Sequence, residues 1–201
     1  FRRLLTALEL DVGVADKIID WIDLDQVPMP SGAEDFIYMA KSPGYQTGSK
    51  HFQHVNELSL LDGMTDSELR RLLPYVTVLP INGTSATKMN VNTMAPPLLK
   101  ALSLNITNEM ALRLNQNNQA NFIAMNDFFQ HNSLQYVLTN TKEQDNIKRL
   151  VGVQTLYLQA SSTIQMADQV IKMYALLRRN NAGDARVIVR SMAPFIPVDL
   201  L

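Results

Sequence analysis

Val151-Gly-Val-Gln-Thr-Leu-Tyr-Leu-Gln159, Ile164–Leu177 and Arg186-Val-Ile-Val-Arg190 are the stretches that take this sequence out of the all-helical class. The first is rich in β-branched and aromatic residues. The second alternates, with Ile164, Met166, Val170 and Tyr174 sharing one parity, and the third is an apolar run between charges. Asn180-Asn-Ala-Gly183-Asp supplies turn chemistry between the last two. Three antiparallel strands are predicted, and a meander of that size leaves two edges to be paired or covered.

Upstream of about Asn140 the pattern is helical. Leu4, Leu5, Leu8, Ile18, Ile19 and Ile22 recur at spacings of three and four, with a break near Asp11–Gly13. A second pair of helices is predicted on either side of Asp62-Gly63, over Val55–Leu61 and Thr65–Val76. Thr65 followed by Glu68 is a capping-box signal, because hydroxyl and carboxylate each satisfy an amide at a helix start. A third pair is predicted over Thr93–Leu102 and Thr107–Leu114, with Pro96 and Pro97 in a first turn where a missing N–H costs little. The three pairs resemble one another weakly, as a recurring helical hairpin too degenerate for a solenoid. The fold class expected is α+β: a large all-helical domain over residues 1–145 and a small antiparallel sheet over 146–201.

Composition narrows the function. The chain has 201 residues, of which 46% are hydrophobic, enough for a substantial core. Its 18 basic and 19 acidic residues give a net charge of −1, without the basic surplus of a nucleic-acid binder. Cysteine is absent, which removes disulfides, zinc–thiolate sites and a thiol nucleophile. No run approaches the roughly 20 apolar residues of a membrane helix.

The stretch with chemical content is Asp20-Trp-Ile-Asp23-Leu-Asp25-Gln-Val-Pro-Met-Pro-Ser-Gly32-Ala-Glu34-Asp35. It packs five carboxylates into 16 residues and contains no lysine or arginine. Like charges this close repel unless a cation neutralises them. Calcium suits the set, since it takes six to eight oxygens in flexible geometry, whereas magnesium prefers fewer carboxylates and keeps its waters. The loop is not an EF-hand: no glycine stands at its sixth position and no glutamate closes it at the twelfth. On the residues alone, a calcium loop and a solvated acidic turn are both open readings.

Other candidates for chemistry are weaker. His51 and His54 have no intervening glutamate and no evident third ligand, and together with His131 they read as exposed or packing histidines. No nucleophile elbow or glycine-rich phosphate loop appears, so no enzymatic activity is expected. Asn90-Val-Asn92-Thr93 precedes a helical hairpin of a kind that can bind DNA phosphates. Its turn, Leu104-Asn-Ile-Thr107, lacks glycines, and a structural use is expected. A carboxylate pair for glycoside hydrolysis (Asp23 and Glu34) would need an aromatic-lined cleft, yet only Trp21 and Phe36 are near in sequence.

Taken in order, Asp20-Trp-Ile-Asp-Leu-Asp25, Gly32-Ala-Glu-Asp35 with Tyr38, Val55-Asn-Glu-Leu-Ser-Leu with Gly63-Met-Thr65, Leu73-Pro-Tyr-Val-Thr-Val-Leu-Pro80 and Asn90-Val-Asn-Thr93 resemble the K-type minor pseudopilins of bacterial type II secretion systems. The resemblance covers roughly residues 1–115, and the later strands fit the family's closing strands. It implies a pilin-like protein with a large helical domain inserted in its sheet, placed at the pseudopilus tip with the I- and J-type minor pseudopilins. It also implies a periplasmic location, inner-membrane anchoring through an N-terminal helix that this chain lacks, and calcium in the helical domain. Ligand roles then fall on Asp23, Asp25, Glu34 and Asp35, with Asp20 assisting; a second calcium ion is compatible. The contrasting expectation is a helix-hairpin-helix DNA-binding module of a competence-type uptake protein. Against it stand Asp66 and Glu68 beside the Asp62-Gly63 turn, the wrong sign for phosphate.

Overall fold

The computed structural model describes residues 1–80, 87–180 and 182–194. The described residues form two compact units, one of residues 1–79 and one of residues 80–194.

In the first unit the broken periodicity becomes two helices, α1 (Arg2–Ala7) and α2 (Val14–Ile22). The break is made by Glu9 in the left-handed region and by Asp11, whose Oδ1 accepts the Gly13 N–H at 2.8 Å. A short helix, α3 (Asp35–Met39), follows the acidic loop. The pair expected around Asp62-Gly63 is present as a 3₁₀ turn at Val55–Leu60 and helix α4 (Asp66–Leu72). Thr65 Oγ1 accepts the Glu68 N–H at 3.2 Å while Glu68 Oε2 accepts the Thr65 N–H at 3.0 Å, so the capping box forms. Burial of Leu5, Trp21, Tyr38, Val55, Leu61 and Leu72 gives the unit its interior. Long-range polar contacts fix α2 in place: Lys17 Nζ donates to the Asp62 carbonyl at 2.7 Å, and the Asp62 N–H donates to the Tyr38 hydroxyl at 3.3 Å.

The second unit opens with β1 (Met89–Asn90) and the hairpin of α5 (Pro96–Ala101) and α6 (Asn108–Asn115). Helices α7 (Met125–Gln130) and α8 (Thr141–Leu150) follow, then β2 (Val151–Gly152), which pairs in parallel with β1. The change of pattern near Asn140 is a helix start, because Asn140 Oδ1 accepts the N–H groups of Lys142 and Glu143; α8 runs across residue 145 to Leu150. Leu99, Ile106, Leu114, Phe128, Leu134 and Ile147 are at the centre of one buried cluster.

The sheet follows as an antiparallel meander, β3 (Tyr157–Met166), β4 (Gln169–Arg179) and β5 (Ala185–Ser191), in that spatial order. The α+β class is as expected, but the strand limits differ. The predicted strand over 151–159 is divided, its first residues pairing with β1 and its last opening β3. The stretch 164–177 is two strands, reversing at Ala167-Asp168 with Ala167 in the left-handed region. No glycine or proline marks that reversal, so alternation on either side reads as one strand. The turn at Asn180–Asp184 forms as expected, its ends joined by the Asn180 N–H to Asp184 carbonyl bond at 2.9 Å.

An acidic site at the end of helix α2

Asp20 and Asp23 are three residues apart, which brings both to one face at the C-terminal end of α2. That end carries the negative pole of the helix, the unfavourable place for acids. Asp20 is fully buried. Its two carboxylate oxygens accept the Met29 N–H, at 3.1 and 3.2 Å, which folds the loop back over the helix end. A Cβ at Gly32 would lie 1.8 Å from Asp20 Oδ2, so only glycine lets the backbone pass this close. The returning chain delivers Glu34, also fully buried, immediately before α3.

Asp20, Asp23 and Glu34 thereby converge, with one carboxylate oxygen from each lying within 4.8 Å of the others. Both Glu34 oxygens and Asp23 Oδ1 are buried and accept no hydrogen bond. Burial pushes the Glu34 carboxyl up to about 7, reinforced by the charges of Asp20, Asp23, Asp25 and Asp35. Asp23 is raised for the same reasons: burial first, then Asp25 and Asp20. Unpartnered buried carboxylates are expensive to ionise. An all-oxygen set of this kind fits a hard divalent cation, and calcium before magnesium.

The two remaining acids of the predicted set turn elsewhere. Asp25 is exposed and its Oδ1 accepts the Val27 N–H at 2.9 Å, an Asx turn. Asp35 Oδ1 accepts the Thr47 N–H at 2.7 Å and the Thr47 hydroxyl at 2.8 Å, tying the loop after α3 back to the start of that helix. An aromatic wall went unread in the sequence: Trp21 lies edge-on to Tyr38, with ring centroids 5.3 Å apart, and stacks on Phe52 at 6.1 Å. The signal was the single tryptophan placed between two of the acids.

The other candidates are absorbed by structure. His54 Nδ1 accepts the Asn56 N–H and Glu57 accepts the His54 N–H, a second capping box. His131 Nδ1 accepts the Ser133 N–H. Asn92 clamps Phe122 from both sides, accepting its N–H at 2.6 Å and donating to its carbonyl at 3.0 Å. Each of these contacts holds backbone, although His54 Nε2 stays buried without a partner.

The molecule is thus an α+β protein whose helical first unit gathers three carboxylates, Asp20 and Glu34 buried and Asp23 half-buried, in a set that could hold a hard cation. Residues 1–81, which contain that triad, match the family model described as type II secretion system (T2SS), protein K. Type II secretion system protein K of Pseudomonas aeruginosa is 32% identical over 198 residues, spanning 96% of this chain and 56% of that protein. The Klebsiella pneumoniae protein of the same name is 42% identical over 108 residues, covering 54% of this chain and 31% of the relative. The chain therefore spans about half the length of the curated relatives it matches. A chain in the crystal structure of the GspK-GspI-GspJ complex from the enterotoxigenic Escherichia coli type 2 secretion system shares the fold. Its TM-score is 0.78 at 20% identity, over 94% of this chain and 67% of that one. Over nearly its whole length the chain is thus similar to type II secretion system protein K, and its first 81 residues match that family's model.

Proposed function

We propose that the chain is the helical and sheet portion of a minor pseudopilin that caps the type II secretion pseudopilus in complex with I- and J-type partners. The role is structural: binding and steric exclusion at a filament tip, with no bond chemistry. The family-model match over residues 1–81 and the 32% identity to the Pseudomonas aeruginosa protein support this reading, as does likeness of fold to a chain crystallised in a GspK-GspI-GspJ complex. No described helix is long and apolar enough to cross a membrane. Inner-membrane attachment and a periplasmic location belong to the same proposal and would rest on sequence outside this chain. The helix-hairpin-helix alternative is not favoured, since the Asn90–Thr93 side chains that it would use are committed to backbone and to Thr155.

Calcium is the cofactor we assign to the site. The observation that carries it is the pair of buried, unpartnered Glu34 oxygens beside Asp20 and Asp23. Those three carboxylates would hold the ion, with Asp25 and Asp35 adding negative potential from the loop and from the start of α3. The bound ion would cancel the repulsion among them and pin the loop between α2 and α3, bracing the unit without catalysing anything.

Two measurements test the two parts. The full-length protein, with its anchoring region, is expected to co-purify with the I- and J-type pseudopilins; failure to join them sinks the assembly role. Calcium is expected to bind the purified, metal-stripped protein with a stoichiometry that drops when Glu34 is replaced by glutamine. A stoichiometry unchanged by that substitution rules out this site.

A further inference from the structure

The far end of the β4–β5 hairpin gathers positive charge that the described fold leaves unanswered. Arg178 on β4 is the direct cross-strand partner of Arg186 on β5, so two guanidinium groups leave the same face of the sheet side by side. Directly opposed like charges destabilise a strand pair. Arg179 follows on β4, opposite Ala185, and all three side chains are exposed. None of the ion pairs among the described residues involves these arginines. The neighbouring acid, Asp184, is engaged in the turn, where its Oδ2 accepts from Asn180 Nδ2 at 3.1 Å.

The same place offers a strand with no partner on its outer side among the described residues. β5 ends the sheet order, and its Val187, Ile188 and Val189 are 42%, 40% and 39% exposed. Charges on an edge often serve to repel other strands. Arg178, however, stands on the central strand, where it guards no edge and only adds repulsion against Arg186. Two guanidinium forks at cross-strand spacing suit a shared carboxylate, which turns that repulsion into charge-assisted hydrogen bonds.

We propose that this end of the sheet is a docking surface for an extended, acidic segment of a partner protein, which adds to the free edge of β5 and seats a carboxylate between Arg178 and Arg186. An anionic membrane would also attract the arginines, but it has no backbone N–H and C=O groups with which to continue a strand ladder. The inference does not depend on the family reading or on the acidic site.

The test titrates the full chain with the end-capped peptide Val-Glu-Val-Glu-Val, following backbone amides by NMR. The glutamine analogue Val-Gln-Val-Gln-Val and phosphatidylglycerol vesicles are the other arms. Shifts confined to β5 and the ends of β4 are expected, with the glutamine peptide about tenfold weaker, the worth of one charge-assisted contact. Arg178→Gln or Arg186→Gln should erase the preference for glutamate. Each should also raise the thermal midpoint of the free chain, whereas a merely structural arginine would lower it. Equal binding of the two peptides, binding to vesicles alone, or midpoints lowered in both variants would each overturn the proposal.

Discussion

The two units differ in how completely they satisfy the polar groups they bury. In the second, buried Asn115 donates through Nδ2 to the Met94 carbonyl at 3.1 Å and to Asn118 Oδ1 at 2.9 Å, and its own Oδ1 accepts the Asn118 N–H. Buried Ser103 donates to Glu143 at 2.5 Å and accepts the Asn105 N–H. In the first unit, Asp23 and Glu34 bury oxygens that accept nothing. Satisfied buried polar groups specify and rigidify a core; unsatisfied ones cost stability until something binds them. Among the described residues the second unit therefore carries its polar chemistry to completion within the chain, whereas the first leaves carboxylate oxygens that the proposed ion would complete.

The largest expected effect follows directly. Calcium at about a hundredfold excess over its Kd should stabilise the chain by about 2.7 kcal/mol, because it binds the folded state alone. Differential scanning calorimetry of metal-stripped protein, with and without calcium, measures this, and magnesium should substitute poorly. Asp23→Ala combined with Glu34→Ala should abolish the calcium response while leaving the sheet's amide protection unchanged. A response that survives the double change would place the metal elsewhere.

Next comes the complementary break. Asn115→Ala should cost about 1–3 kcal/mol, the range for stranding buried polar partners. Here the Met94 carbonyl and the Asn118 N–H would lose their bonds, and the left-handed run Gln116-Asn117-Asn118 would lose the side chain that ties it down. Chemical denaturation should give the same loss with and without calcium. A loss that calcium reverses would contradict the separation between the units.

These contrasts also mark what could be read in advance. Helix pairs, the capping box at Thr65 and the proline-led start of α5 were legible, because each is set by local periodicity and side chains a few residues apart. The acidic stretch was legible as a charge problem, since its five carboxylates have no lysine or arginine among them. Which of them converge was not. That depends on Gly32 letting the chain pass Asp20, and on Thr47 drawing Asp35 aside, both contacts made only after folding. The Ala167-Asp168 reversal was hidden for a different reason: cross-strand pairing, with Ile164 opposite Ile171, holds a turn that its own residues do not advertise.

A smaller effect sharpens the comparison through pH. Glu34 moves from an ordinary 4.5 up to about 7 in the folded, metal-free chain. Between those values the folded state keeps a proton that the unfolded state has lost, so stability should fall as pH rises across that window and level off above it. Glu34→Gln should flatten the fall. Calcium, which needs the carboxylate ionised, should bind more weakly as pH drops below about 7. Unfolding free energies for metal-stripped wild type that rise steadily from pH 4.5 to 7 would contradict the burial of an unpartnered Glu34.

The smallest expected effect asks whether the contrast belongs to the whole first unit or to the acidic site alone. Thr65→Ala removes a cap within the same unit and should cost about 1 kcal/mol. Glu68, which completes that cap, is held below its ordinary value by its hydrogen bonds to Thr65. Its contribution is therefore present above its ordinary value of 4.5 and lost as pH falls, opposite in sign to that of Glu34 and in a lower window. If only the acidic site is incomplete without a ligand, α4 is already formed in the metal-free chain, and the Thr65→Ala loss is the same with and without calcium. A loss seen only in the presence of calcium would mean that the ion organises the entire unit, cap included. The carboxylate triad would then be the centre from which residues 1–79 fold, and its tuning would set the stability of everything in that unit.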